Sequence, residues 1–343
     1  VLDKLNGIFA LAIYDNEKQT LFLARDRFGV KSLYYCITKE AFIFATEIPA
    51  ILSVLPNKPS ANEIAIFDYL VFNRTDQTEQ TFFKGIYKLQ HGCCITLDCS
   101  KVYTKESLPI IKWYDLTQKV YGRTVKKDND EFMRLLTRAI QIRLRDDMQW
   151  GVSLSGGIDS SAITAMVIKI LNQPDVHSFS AVYGKESRAD ESNYIDCFKE
   201  IVPNMHYVYP NADTLLANLD SYVRTQAEPT PTTSPFANYC VMQEAQKYVK
   251  ITLDGQGADE ALSGYEYIPG LYYKTLFTHF KWITLLKELV RYAKLHKSMR
   301  HIKYMIFFMM PSRMRTKVRV AQRGYLNQEF VARNQQSVIA DQL

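Results

Sequence analysis

The chain has 343 residues, 47% hydrophobic and 23% charged, with a net charge of +6. That is a globular composition, long enough for two domains with separate cores. It excludes a membrane span, because the longest apolar run, residues 304–310, falls far short of the ~20 residues a spanning helix needs; the six cysteines show neither disulfide nor zinc spacing.

Residues 1–115 read as short alternating segments. The pattern predicts a strand at 7–14, a turn at 15–18 and a returning strand at 19–24. A second pair is expected at 33–37 and 41–45, helical patches at 49–55 and 61–71, and strand pieces at 86–89 and 93–97. The result is an α+β unit dominated by hairpins. Cys93, Cys94 and Cys99 lie near His91 with no second Cys/His pair, so they read as buried reduced thiols rather than a metal site. A reducing cytoplasm fits, and Val1-Leu2-Asp3-Lys4 opens directly into folded-looking sequence without a signal peptide.

Residues 113–116 close the first domain, and the polar, basic stretch 117–127 is the linker candidate. Asp128 and Glu131 form a capping box for a helix that places Phe132, Leu136, Ala139, Ile140 and Leu144 on one face. From residue 150 apolar strands (150–154, 177–183, 206–209, 249–254) alternate with helices expected to run on through 162–168, at about 191–201, about 213–224 and from near 259. This alternation predicts a parallel, doubly wound sheet, whose ligands bind outside the carboxyl ends of the strands.

Two motifs fall at such ends. In Ser155-Gly156-Gly157-Ile158-Asp159-Ser160 a glycine turn opens a helix, whose first N–H groups and dipole make an anion site. A carboxylate beside a phosphate there needs a shared Mg²⁺. The bland alternative is an ordinary turn with Asp159 or Ser160 as N-cap. Neither a Walker loop nor a dinucleotide fingerprint is present. In Asp254-Gly255-Gln256-Gly257-Ala258-Asp259-Glu260 a second glycine turn places Asp259 and Glu260 in a first helical turn. The loop 228–235 carries several hydroxyls and no glycine; it is either a connector or a cover over a substrate carboxylate and amino group. Arg188-Ala189-Asp190-Glu191-Ser192 is a further polar turn that could reach phosphates or substrate. From Lys281 to Arg333 thirteen Lys/Arg face only Glu288 and Glu329, a solvated helical face or a polyanion surface.

Residues 5–15, 24–35, 44–48 and 87–92 resemble the back half of the glutaminase domain of glutamine-dependent asparagine synthetases, with Ser32 where that family has Pro. The loop at 155–160 resembles the pyrophosphate loop of ATP-pyrophosphatases, and 253–260 resembles the second ATP-site signature of the same synthetases. The resemblance implies a partial α+β N-terminal-nucleophile-type glutaminase domain at 1–118. It implies an α/β doubly wound adenine-nucleotide α-hydrolase-like (ATP-pyrophosphatase) domain at 127–343, C-terminally incomplete.

It further implies ATP and Mg²⁺, with L-aspartate and either L-glutamine or ammonia as partners, an asparagine synthase reaction through β-aspartyl-AMP, no membrane, and room for a homodimer. Asp159 and Asp259 would bind the metal and act with Gln256 in catalysis. Leu154, Ser155, Gly156, Gly157, Asp159, Ser160, Ala181, Asp254 and Gly255 would bind ATP and pyrophosphate, Leu154 and Ala181 lining the adenine pocket. Gln256 replaces a Glu that a frequent form of the family ties to adenylate formation; a neutral amide cannot serve as that carboxylate, though it can orient water or substrate. The chain begins at Val1 with no N-terminal cysteine, so it reads as a fragment that should not hydrolyse glutamine. A relative amidating or cyclising another carboxylate, as β-lactam synthetases do, is one alternative. A tRNA-modifying or nucleic-acid-binding pyrophosphatase is another, and residues 1–115 argue against it.

Overall fold

The computed structural model describes residues 1–122, 128–144, 147–184, 187, 190–296, 298 and 300–334. Part of the linker candidate, Arg188 and Ala189 of the polar turn, and the end at 339–343 lie outside the described residues. Contacts group residues 1–122, 223–231 and 316–334 into one unit and residues 128–222 and 232–315 into another.

The first unit holds two antiparallel sheets. Strand β1 (Ala10–Asp15) returns as β2 (Thr20–Arg25) through a turn in which Asp15 accepts the Glu17 and Lys18 N–H groups. Strands β3 (Tyr34–Ile37) and β4 (Phe42–Ala45) follow, then helices α1 (Ile48–Val54) and α2 (Glu63–Phe72), the latter capped by the Asn62 side chain. Strands β5 (Ile86–Lys88), β6 (Cys93–Asp98) and β7 (Ile110–Lys112) complete orders β1-β2-β6-β7 and β4-β3-β5. Leu23, Leu33, Tyr35, Leu89, Ile95 and Leu97 form one core. Cys36, Ile48, Ile51 and Ile86 form another, under α1. Strand β7 carries no alternation that marks it in the sequence; it exists because Ile110–Lys112 pair with Cys93–Ile95. The expected linker opens as a short helix, α3 (Leu116–Val120), because the Asp115 carboxylate accepts the Gln118 N–H at 3.2 Å.

The second unit opens with α4 (Asn129–Gln141), capped by Asp128 as its sequence signals. Then come β8 (Trp150–Ser153), α5 (Ile158–Lys169), β9 (His177–Ala181), the short α6 (Ser192–Ile195), β10 (Asn204–Val208), α7 (Ala212–Gln226), α8 (Ser234–Ala245), β11 (Ile251–Leu253) and α9 (Ala258–Leu262). The helix expected near 191–201 is broken: α6 ends after one turn and tightens into a 3₁₀ turn at Asp196–Phe198. All four strands are parallel, in the order β10-β9-β8-β11. Val152 pairs with Ser178 and Ser153 with Phe179, so Val152 and Phe179 point to opposite faces. Val152 packs with Ile140, Met166 and Val167 from α4 and α5, whereas Phe179 packs with Val241 and Ala245 from α8. The sheet is therefore covered by helices on both sides.

Helices α10 (Ile268–Thr278), α11 (Trp282–His296) and α12 (Arg300–Met309) follow, packed around Tyr273, Leu276 and Leu285. The chain returns to the first unit through α13 (Ser312–Ala321) and α14 (Gln328–Asn334), where Val331 packs on Phe67 and Val71 of α2. Among the described residues no helix is long and apolar enough to cross a membrane.

Candidate active site

From β8 the chain moves outward in one direction, to β9 and then β10, and later comes back to the other side of β8 as β11. The switch point of the sheet thus lies between β8 and β11, where open parallel sheets form their ligand crevice. Leu253 pairs with Val152, so the chains leaving β8 and β11 depart from the same edge. Both glycine motifs begin there.

The first loop is held by its own hydroxyls. Ser160 is buried, and its Oγ accepts the Ser155 N–H at 3.2 Å, lies 3.0 Å from Ser155 Oγ and donates to the Gly157 carbonyl at 3.1 Å. Ser155 Oγ in turn accepts the Gly157 N–H at 3.3 Å. Gly156 takes φ +88°, and a Cβ there would meet the Glu191 carbonyl and Cβ at 2.9 Å. The position needs glycine for both reasons. It also shows that the described part of the polar turn, residues 190–192, lies against this loop. In that turn Asp190 accepts the Ser192 hydroxyl and the Tyr183 N–H, which hold its carboxyl below the ordinary value.

Helix α5 starts at this loop with Gly157 as N-cap and no side chain capping it. The N-cap role considered for Asp159 or Ser160 is therefore not what the structure shows. Its first N–H groups face outward with the positive end of the helix dipole, and Asp159 sits half-buried among them.

The second loop is pressed onto this first turn. A Cβ on Gly255 would lie 3.0 Å from Asp159 Cβ and 3.2 Å from the Ser160 nitrogen. Only a residue without a side chain lets the two loops come so close. Asp254 is exposed and accepts the Thr252 hydroxyl at 3.3 Å; Gln256 is exposed beside Gly255. Gly257, at φ +96°, opens α9, which carries Asp259 and Glu260, both exposed. The Asp259 carboxylate rests against Gly264, and Glu260 accepts the Tyr265 hydroxyl at 2.6 Å. That bond pushes Tyr265 up to about 12. Neither the Glu260–Tyr265 bond nor the Glu191 floor under Gly156 carries a sequence signal.

Leu154 is fully enclosed at the base of the first loop; its N–H goes to the Phe179 carbonyl at 2.9 Å and its carbonyl takes the Ser180 hydroxyl at 2.6 Å. It locks β8 to β9 beneath the site. Ala181 ends β9, half-buried. A cavity lined by Met148, Trp150, Val176, His177 and Tyr248 lies at the other end of the strands, away from every motif residue. Among the described residues no cluster of three or more His, Cys, Asp or Glu is placed to hold a metal.

A family profile described as "Asparagine synthase" matches residues 131–340, and one described as "Glutamine amidotransferase domain" matches residues 1–107. The chain is similar to a protein of Methanocaldococcus jannaschii named "Putative asparagine synthetase (glutamine-hydrolyzing) 2", 31% identical over 266 residues, 76% of this chain and 50% of that protein. It is similar to "Amidase chry2" of Gibberella zeae, 27% identical over 283 residues, 77% of this chain and 41% of that protein. It is also similar to "Asparagine synthetase (glutamine-hydrolyzing) 3" of Bacillus subtilis, 25% identical over 304 residues, 84% of this chain and 48% of that protein. The chain spans about half the length of the curated relatives it matches, or less.

Proposed function

This chain belongs to the asparagine synthase family, and from that premise we propose that the whole protein converts L-aspartate to L-asparagine at the expense of ATP. In this reading the second unit, within 127–343, is an adenine-nucleotide α-hydrolase-like domain that joins the aspartate side-chain carboxylate to the α-phosphate of ATP. Pyrophosphate leaves, ammonia attacks β-aspartyl-AMP, and asparagine and AMP are released. Residues 1–118 are read as part of an N-terminal-nucleophile-type domain that draws the ammonia from L-glutamine.

The observation that carries the reading is the contact of Gly255 with Asp159 and the Ser160 nitrogen at the switch point of the sheet. One triphosphate can then meet both loops. The outward N–H groups of α5 receive phosphate oxygens, whose charge they stabilise as it develops on the departing pyrophosphate. Ser155 and Ser160 hold the loop that presents those groups. Gly156 and Gly157 keep it narrow, and Ala181 forms the wall beside the adenine, with the enclosed Leu154 packed behind it. Asp254 borders the nucleotide, and Gln256 orients water or the acceptor by its amide.

The donor chemistry fits Mg²⁺ arriving with the nucleotide. Asp159 and Asp259 offer hard carboxylate oxygens, and such ions take the rest of their shell from phosphates and water. When bound, the ion supplies charge neutralisation at the phosphates.

The test is aspartate-dependent exchange of labelled pyrophosphate into ATP. Exchange should appear with wild type and fall by about 100-fold or more in Asp159→Asn, ~2.7 kcal/mol of barrier. Absence of aspartate-dependent exchange removes this reading. A second reading, amidation of a different carboxylate, is favoured by the neutral Gln256. Exchange supported by another carboxylic acid but not by aspartate would establish it.

A further inference from the structure

Helices commonly end on a left-handed residue, and glycine usually takes that place because a Cβ is strained there. At the end of α9 the left-handed position, φ +62°, falls instead to Ser263, and Gly264 follows it outside that region. The backbone therefore gives no reason for glycine at 264. The side chain of Asp259 does. A Cβ on Gly264 would fall on Asp259 Oδ1 and lie 2.8 Å from its Cγ.

The same turn folds back on the backbone of Asp259. The Ser263 and Gly264 N–H groups both donate to the Asp259 carbonyl, the second at 2.9 Å. One residue is thus fixed twice, its carbonyl by hydrogen bonds and its carboxylate by the space over Gly264. The neighbouring Glu260 is engaged differently. It accepts the Tyr265 hydroxyl at 2.6 Å; Tyr265 stacks on Tyr267 at 5.4 Å, and Tyr267 meets Phe308 of α12 at 6.4 Å. Of these two adjacent, exposed carboxylates the turn occupies Glu260 with a hydrogen bond and gives Asp259 only a seat.

Resting on the ligase reading above, in which Asp259 offers an oxygen to the ion that arrives with ATP, we propose that Gly264 is a positioning residue: its bare Cα is the seat that sets where the Asp259 carboxylate stands. It does not itself touch the ion. Supports of this kind change metal affinity by about 10–100-fold, because they fix a ligand's direction before the ion arrives. Gly264→Ala probes the seat with little else disturbed. Alanine meets no backbone strain outside the left-handed region, and its methyl displaces the end of a short side chain. The nearest backbone atom, Asp259 Cα, would be 3.2 Å away and need give only a few tenths of an ångström.

The experiment measures Mn²⁺ binding in the presence of ATP by electron paramagnetic resonance, in the intact protein. Gly264→Ala should weaken Mn²⁺ binding by about 10–100-fold. Added to Asp259→Asn, it should weaken binding no further than about twofold, because the two changes remove one and the same ligand. Unchanged binding in Gly264→Ala overturns the proposal, and so does a double variant in which the two losses multiply, since Gly264 then acts by another route. Asp259→Glu is the second variant, and it serves even if Gly264→Ala fails to fold. It keeps the charge but carries the carboxylate one methylene beyond the seat, so it should lose about tenfold or more; wild-type binding in it overturns the proposal. The readout needs no acceptor. If aspartate supports no pyrophosphate exchange while the variants bind Mn²⁺ as stated, the aspartate assignment falls and the seat stands; wild type that binds no Mn²⁺ with ATP overturns the seat.

Discussion

Gly255 concentrates the chemistry of the site into one missing methyl group. Alanine there would press on Asp159 Cβ and the Ser160 nitrogen, atoms of a helix turn that cannot swing aside. Gly255→Ala should cost about 1–3 kcal/mol of stability by overpacking and lower pyrophosphate exchange at least tenfold; chemical denaturation and the exchange assay read the two effects separately. Ser160→Ala removes a different support. Its buried hydroxyl serves the Ser155 N–H and the Gly157 carbonyl together, so its loss should destabilise by about 1–3 kcal/mol. The glycines and Asp159 were visible in the sequence because turn geometry and anion chemistry restrict the residue types that can stand there. The role of Ser160 was not: a serine in a first turn reads as a cap or a phosphate ligand, and only its burial shows that it braces the loop.

At the scale of elements, β9 and β10 bring two histidines side by side. His177 Nδ1 lies 2.9 Å from His206 Nε2, and His206 stacks on Phe179 at 4.9 Å and lies tilted against Tyr248 at 4.0 Å. Burial, then the neighbouring His177, push His206 below its ordinary value, with Glu244 opposing. Because the folded state resists protonating His206, the stability it contributes is complete above the unfolded value of ~6.5 and is lost as pH falls through the lower folded value. Urea midpoints of wild type should fall between pH 7.5 and 5.5, and those of His206→Phe, which keeps the stacking, should fall less. Strand and helix alternation was legible along 150–262, since apolar runs and amphipathic stretches each have their own period. Strand order was not, because nothing local tells β11 to join the free side of β8 rather than extend past β10. The break after α6 escaped for a related reason: Asp196, Cys197 and Phe198 are compatible with helix, and tertiary packing decides otherwise.

Across the whole molecule the three tryptophans divide unevenly between the two units, Trp113 in the first and Trp150 and Trp282 in the second. A nucleotide held by the two glycine loops should stabilise the second unit by about 2.7 kcal/mol at a hundred times its Kd. Thermal unfolding followed at Trp150, in a variant with Trp113 and Trp282 replaced by Phe, should then shift upward with MgATP. The change of pattern near residue 120 was readable in the sequence. The grouping of 223–231 and 316–334 with the first unit was not, for those contacts join residues more than a hundred positions apart and leave no periodic trace.

The placement of β11 beside β8 also has a consequence for synthesis on the ribosome. Asp159 is made long before Gly255, and at 5–20 residues per second the delay is about 5–20 s. Throughout it β8 is an open sheet edge, with Trp150 and Val152 waiting for Ile251 and Leu253 to be made. Translation that pauses in α7 or α8 would hold the nascent protein in that sticky state, so slow codons there should lower its soluble yield without altering a single amino acid.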